Sequence, residues 1–277
     1  MPELPDVTVY VEALQKRLVG QSLTKMRLAS PFVLRTVEPS PSEVAGRRVT
    51  DIRRLGKRIV MELEGELFIV IHLMIAGRFK WLPANAKIPG KLGLAAFDFP
   101  NGTLLLTEAG SKRRASIHIV RGAAGLKEHD RGGLDPLAMT LAEFSDALTG
   151  ERHTLKRSLT DPGLFSGIGN AYSDEILHRA RLSPVQLSTN LSEEEIARLY
   201  DATGVVACHV ALKEGGALAI WATGPDAGYL RRLQRSGFDA SAVRVAPRPG
   251  AGGRKHVVFV AVKTPTRCSG TATGRTG

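Results

Sequence analysis

The sequence predicts an α+β protein: an N-terminal helix on an antiparallel β-sandwich, then a helical domain, then a small α/β segment. Three features carry this. The apolar period is helical up to Gly20, becomes two residues from 22 to 120, and is helical again beyond 137. Turn signals at Glu64-Gly65 and Asn101-Gly102 separate short alternating runs, the pattern of antiparallel hairpins. Glycines and charges gather between 121 and 137 and end in Leu134-Asp135-Pro136, which reads as an interdomain linker. With 277 residues and 43% hydrophobic content, the chain has enough material for more than one core. The expected boundaries are 1–122, a linker over 123–137, 138–208, and 209–277.

Taken in order, Val7, Val9, Tyr10, Leu14 and Leu18 fall at three- and four-residue spacings over 5–19, and Gly20 closes the run, which predicts an amphipathic helix. Alternation over 22–28 and 58–63 predicts strands, with more at 66–74, 77–82, 91–99, 102–107 and 115–120. Thr140 with Glu143 and Ser192 with Glu195 have capping-box spacing, and a helix starts near Asn170 and runs to Ala180. In the closing segment 217–222, 242–245 and 257–262 read as strands and 226–236 as an amphipathic helix.

Charge narrows the function classes. Lys and Arg outnumber Asp and Glu by 38 to 27, a net +11, which points to a polyanionic partner, with nucleic acid foremost. Aromatic content of 5% argues against a single-strand stacking platform. No apolar run reaches membrane-spanning length, and the acidic start lacks a signal-type leader, so a cytoplasmic protein without a membrane partner is expected. The two cysteines, Cys208 and Cys268, make no disulfide framework.

Two stretches carry chemistry. The first is Met1-Pro2-Glu3-Leu4-Pro5-Asp6-Val7. Once Met1 is removed, Pro2 presents a secondary amine, and a free α-amino group titrates at roughly 7.7–8.0, so part of it is nucleophilic near neutrality. Attack on an aldehyde carbon gives an iminium ion, which cannot shed its charge by losing an N–H proton and so acts as an electron sink. Glu3, one residue away, is placed to move protons on the same substrate. A plain helix start also accounts for Pro2 and Pro5. The second stretch runs from Lys156 through Gly167-Ile168-Gly169-Asn170. Its glycines allow a tight turn, and Asn170 opens a helix whose free N–H groups suit a phosphate, with the Lys156 charge on the same side. An ordinary glycine-rich connection between helices has the same look.

Together, Pro2-Glu3-Leu4-Pro5-Asp6-Val7, Leu55-Gly56-Lys57-Arg58, His72-Leu73-Met74-Ile75-Ala76-Gly77 and Gly167-Ile168-Gly169-Asn170 make residues 1 to about 205 resemble the formamidopyrimidine-DNA glycosylase and endonuclease VIII family of base-excision repair enzymes. The resemblance implies a helix-two-turns-helix domain over 138–208 and damaged double-stranded DNA as the partner of a monomer. It makes Pro2 the Schiff-base nucleophile, Glu3 the proton donor that opens the deoxyribose, and Lys57 the charge beside the scissile phosphates. It places Lys156, Gly169 and Asn170 at phosphate contacts and His72 near the DNA backbone, although the apolar strand 66–74 equally suits a core histidine. Ile75 matches a gap-filling position that is often methionine, and the Lys112-Arg113-Arg114 loop is where an arginine faces the opposite base, although a solvated charge run reads the same way.

The resemblance stops near residue 205. The family's C-terminal finger is often held by zinc on four cysteines, and Cys208 and Cys268 cannot supply that site, so no metal and no other cofactor is expected. Adjacent Cys208 and His209 are poorly placed to share one ion with His256. Residues 212–262 instead resemble, weakly, the last strand-helix-hairpin unit of a Rossmann-like methyltransferase or spermidine synthase-type domain, an atypical segment in place of the finger. An alternative function follows: a catalytically impaired protein that binds damaged DNA.

Overall fold

The structure, a computed structural model, describes residues 1–110, 112–211, 215–222, 227–235, 238–245 and 256–263. It falls into two compact units, 1–204 and 205–277.

In the first unit, helix α1 (Leu4–Leu18) starts where the sequence has prolines and an acid in the first turn, and the Glu3 N–H donates to Asp6 Oδ2 at 3.0 Å. Its face Leu4, Val7, Val11, Leu14 and Leu18 is buried. Strand β1 (Lys25–Leu28) leads to a short helix α2 (Pro41–Val44), and then follow β2 (Val49–Leu55), β3 (Arg58–Leu63), β4 (Leu67–His72), β5 (Gly77–Leu82), β6 (Gly93–Phe99), β7 (Gly102–Glu108) and β8 (Ser116–Arg121). They form two four-stranded sheets, ordered β1-β6-β7-β5 and β2-β3-β4-β8, with every pairing antiparallel. Val7 and Leu14 of α1, Ile52, Ile69 and Ile117 of one sheet and Phe97 and Leu104 of the other share one core. The predicted helix and sandwich are therefore present. Strand β2 and helix α2 were not anticipated.

The expected linker over 123–137 is partly helical. Helix α3 (Gly122–Lys127) buries Leu126 against Val60, Val70 and Val120. These three valines form an apolar patch on the outer face of the β2-β3-β4-β8 sheet, and covering it offsets the cost of ordering the segment.

The helical part comprises α4 (Leu141–Thr149), α5 (Leu155–Thr160), α6 (Asn170–Ala180) and α7 (Glu193–Ala211). Both capping boxes form: Thr140 N–H donates to Glu143 Oε2 at 2.7 Å and Ser192 N–H to Glu195 Oε2 at 3.1 Å. Phe144 packs against Phe165 and Tyr200 at centroid distances of 5.0 and 5.7 Å.

A buried arginine joins the sandwich to the helical part. Arg54, on β2, donates to Asp135 Oδ2 at 2.5 Å, Gly56 O at 3.2 Å and Ser166 Oγ at 3.3 Å. Its side chain is 12% exposed, and burial lowers its pKa against the pull of Asp135. Replacing it removes the donor from Gly56 O, Ser166 Oγ and the half-exposed Asp135 carboxylate, so Arg54→Met is expected to cost about 0.5–1.5 kcal/mol, measured by urea unfolding.

In the second unit, β9 (Ala217–Ala222), helix α8 (Ala227–Arg235), β10 (Phe238–Val245) and β11 (His256–Lys263) form a sheet ordered β10-β11-β9, antiparallel throughout. The three predicted strands pair as one sheet. One face buries Phe238, Ala240, Val257, Phe259 and Ala261 with Leu233 of α8. The other carries Val258, Val260 and Val262, partly exposed, beside Val243, which is 46% exposed. The Cys208 and His209 side chains, Cys268 and the closing residues 264–277 lie outside what is described.

Candidate active site

The N-terminal proline and the glycine turn, far apart in sequence, meet. Pro2 is buried, and Glu3, beside it, is 2% exposed. The Leu4 N–H donates to Gly167 O at 2.9 Å, holding the start of α1 against the turn. The Glu3 carboxylate accepts from the N–H groups of Gly169 at 2.8 Å, Ala171 at 3.1 Å and Tyr172 at 3.1 Å. Helix N-termini favour anions because their first amides lack partners within the helix. Here the anion is a side chain of the same protein. Of the amides expected to be free for a phosphate, Glu3 thus occupies those of Ala171 and Tyr172, and the Asn170 N–H is not among its donors.

Glycine at 169 is required by this approach. A Cβ there would lie 2.3 Å from Glu3 Oε1 and 2.7 Å from Lys57 Nζ. Lys57 is thereby placed at the same point. It sits in the two-residue turn between β2 and β3, after Gly56 at φ +60. Burial pulls its ammonium below the ordinary lysine range, and Glu3 pulls the other way. Pro2, Glu3, Lys57 and Gly169 thus converge.

Lys156, on α5, donates to Asn170 O at 2.7 Å and pairs with Asp174 Oδ1 at 2.6 Å. Asn170 itself is exposed at the start of α6. The expected proximity of Lys156 to Asn170 holds, but Asp174 offsets the lysine charge. The Tyr172 phenol is pushed up to about 12 by burial and then by Asp6, Glu3 and Glu175, and so stays neutral.

His72 ends β4, opposite Arg58 on β3. With Lys57, Met1 and Gly167 it lines a cleft of about 230 Å³. It is half-buried, and its Nε2 has no partner. The reading of His72 as a satisfied core histidine therefore fails, because the strand ends where the cleft begins. Burial, then Arg58, Lys57 and His118, push it down to about 4, and His118 is likewise at about 4 through burial, His129, Arg58 and Arg35.

An acid sensitivity follows. In the unfolded chain these imidazoles titrate at the ordinary 6.5. Between pH 6.5 and 4 the unfolded state thus binds more protons, so stability is lost as pH falls through this window. The Asp98 carboxylate, lowered through Arg27 and Thr103, acts below its ordinary 3.8 and so outside it. The urea midpoint is expected to drop from pH 6.5 to 4.5, and His72→Gln with His118→Gln to flatten that drop.

The remaining expected residues lie on loops. Ile75 is 57% exposed in the turn after β4, where Met74 has φ 55. Arg113 and Arg114 are exposed. The Arg114 and Ala115 N–H groups donate to buried Glu108 at 2.9 and 3.0 Å, which fixes the loop, while the Arg113 guanidinium donates to Lys91 O. A Cβ at Gly110 would stand 3.7 Å from Ala76, so the two loops adjoin. Arg54, Tyr172, Arg58 and His129 were not singled out from sequence. The only local sign was a basic run in Arg53-Arg54 and a histidine in a segment that reads as linker.

A sandwich whose proline–glutamate start is held by the glycine turn of a helical domain is the build of the helix-two-turns-helix glycosylases. Residues 1–113 match the formamidopyrimidine-DNA glycosylase N-terminal domain, and residues 133–219 match the H2TH domain of the same enzymes. The chain belongs to the formamidopyrimidine-DNA glycosylase family. It is 31% identical over 208 residues to formamidopyrimidine-DNA glycosylase of Heliobacterium modesticaldum, covering 73% of this chain and 75% of that one. For the enzyme of Solibacter usitatus the figures are 31% over 252 residues, 90% and 89%. The solved structure of Lactococcus lactis formamidopyrimidine-DNA glycosylase bound to DNA containing an abasic site superposes with a TM-score of 0.70 at 22% identity, covering 89% and 95%, and supports the fold. The likeness of 212–262 to a Rossmann-like unit gains no support from these matches. The H2TH match instead runs into β9.

Proposed function

We propose that this DNA glycosylase of base-excision repair is bifunctional: it excises an oxidised base and then cuts the strand as an abasic-site lyase. The observation that carries the proposal is the Glu3 carboxylate, buried next to Pro2, gripped by three amides and facing Lys57.

With Met1 attached, the Pro2 nitrogen is an amide and has no nucleophilic lone pair. Removal of Met1 frees it. The amine attacks C1′, the bond from C1′ to the base breaks, and the departing base takes a proton from water. The Glu3 carboxylate accepts the proton that the Pro2 nitrogen sheds on bonding to C1′ and passes it to O4′ as the sugar ring opens, which leaves an iminium between Pro2 and C1′. Loss of a C2′ proton then expels the 3′ phosphate, with electrons moving into the iminium. Lys57 stabilises the departing phosphate, and water finally hydrolyses the iminium. A four-thiolate zinc site, as the family's finger often has, needs more cysteines than Cys208 and Cys268. No step runs through one.

Borohydride reduction tests this, because it converts an iminium to a stable amine. Processed protein is expected to cross-link to an abasic-site duplex, whereas a preparation that retains Met1 is expected not to. Equal trapping by the two would place the nucleophile elsewhere. Binding without any trapping would favour the impaired lesion-binding reading. Duplex affinity should fall steeply with salt, about 0.9 in log affinity per log salt for each phosphate neutralised.

A further inference from the structure

The wall of the cleft beyond Lys57 is more basic than the chemistry above requires. Arg58 begins β3 and is half-buried. Its Nη1 donates to His129 O at 2.9 Å, which fixes the guanidinium without neutralising it. Its Nε is buried without a partner. Arg131, exposed two residues beyond His129, lines the same cleft, and the two guanidiniums repel one another. His118 packs against His129 with ring centroids 4.6 Å apart and the rings tilted by 57°. Among the described residues no carboxylate forms an ion pair with Arg58 or Arg131. Asp130 also lines the cleft, with Oδ1 accepting the Gly132 N–H at 2.9 Å, and Glu128 acts on His129.

We propose that Arg58, His129 and Arg131 form a second phosphate-binding subsite, distinct from the position beside Lys57, that takes another phosphodiester of the bound DNA. The proposal rests on the glycosylase reading, since the subsite shares the cleft of Met1, Lys57 and Gly167. Two guanidiniums present planar N–H forks, the geometry that recognises phosphate. After burial, the unneutralised charge of Arg58 helps hold the neighbouring imidazoles neutral, acting on His72, His118 and His129 alike. A phosphate would relieve this repulsion. Lys156, by contrast, already has Asp174.

The test uses the full chain and a duplex with a central tetrahydrofuran abasic analogue, read by fluorescence anisotropy. One phosphate at a time is replaced by neutral methylphosphonate. Wild type is expected to lose affinity at a phosphate other than those to which Lys57→Gln is sensitive, and Arg131→Gln to lose that sensitivity. Its salt slope should fall by about 0.9. Arg131 is exposed, so this variant avoids the folding risk of Arg58→Gln, which serves as the second variant. Additive penalties at every phosphate, with an unchanged slope, would overturn the subsite while damaged-duplex binding kept the glycosylase reading intact. Failure of wild type to bind the duplex at all would remove both. Inorganic phosphate that binds through Arg131, with no coupling to any duplex phosphate, would mark a free-anion site and also overturn the proposal.

Discussion

Glu3→Gln is expected to lower turnover on an abasic-site duplex by about 10²–10⁴, the range of a lost general acid or base. The substitution keeps the shape of the side chain but removes the charge that three amides converge on. One end of the amide is then an N–H₂ facing N–H donors, so a buried hydrogen bond becomes a clash of like groups. Some stability should be lost as well, but duplex binding should survive, because Glu3 is 2% exposed and offers no surface to a phosphate. Anisotropy and single-turnover cleavage measured on the same preparation separate these effects. Loss of binding equal to the loss of turnover would mean that Glu3 serves only to hold α6 against α1.

Gly169→Ala should produce the second large effect. The added methyl would need the space of Glu3 Oε1 at 2.3 Å and Lys57 Nζ at 2.7 Å. Both are ends of side chains, so the fold can yield by moving them, at a cost of about 1–3 kcal/mol. The reacting geometry cannot yield in the same way, since small misplacements of positioned groups cost about 10²-fold. Turnover is thus expected to fall by at least that factor while the far-ultraviolet spectrum stays that of the wild type. Gly163→Ala is the control, because a Cβ there meets no atom nearer than Asp161 Oδ1 at 3.2 Å. Equal activity loss in the two variants would point to the backbone of the loop and not to the approach of Glu3.

The sequence was most legible where local pattern and tertiary role agree. The α1 face Val7, Leu14 and Leu18 and the fully buried strands β6 and β7 follow from apolar spacing alone. Strand β2 escaped because a register shift between Val49 and Asp51 breaks its alternation and Arg53-Arg54 hides the apolar face. At the site, Pro2, Glu3 and the glycine turn stood out by their chemistry and Lys57 by the resemblance, but their arrangement did not. Gly169 suggested a tight turn, whereas the space for another residue's carboxylate is what demands glycine. The Ala171 and Tyr172 amides of α6 read as free because their partner, Glu3, lies 168 and 169 residues away in the chain. Arg58 and His129 were invisible for the same reason: their meeting is made by β3 and the segment after α3, and neither carries a motif.

The most direct measurement is peptide mapping by mass spectrometry of the borohydride-reduced adduct between the processed protein and an abasic-site duplex. The sugar-derived mass is expected on the N-terminal peptide, on the nitrogen of Pro2. A mass carried by Lys57, or by any other lysine, with Pro2 unmodified would contradict that expectation.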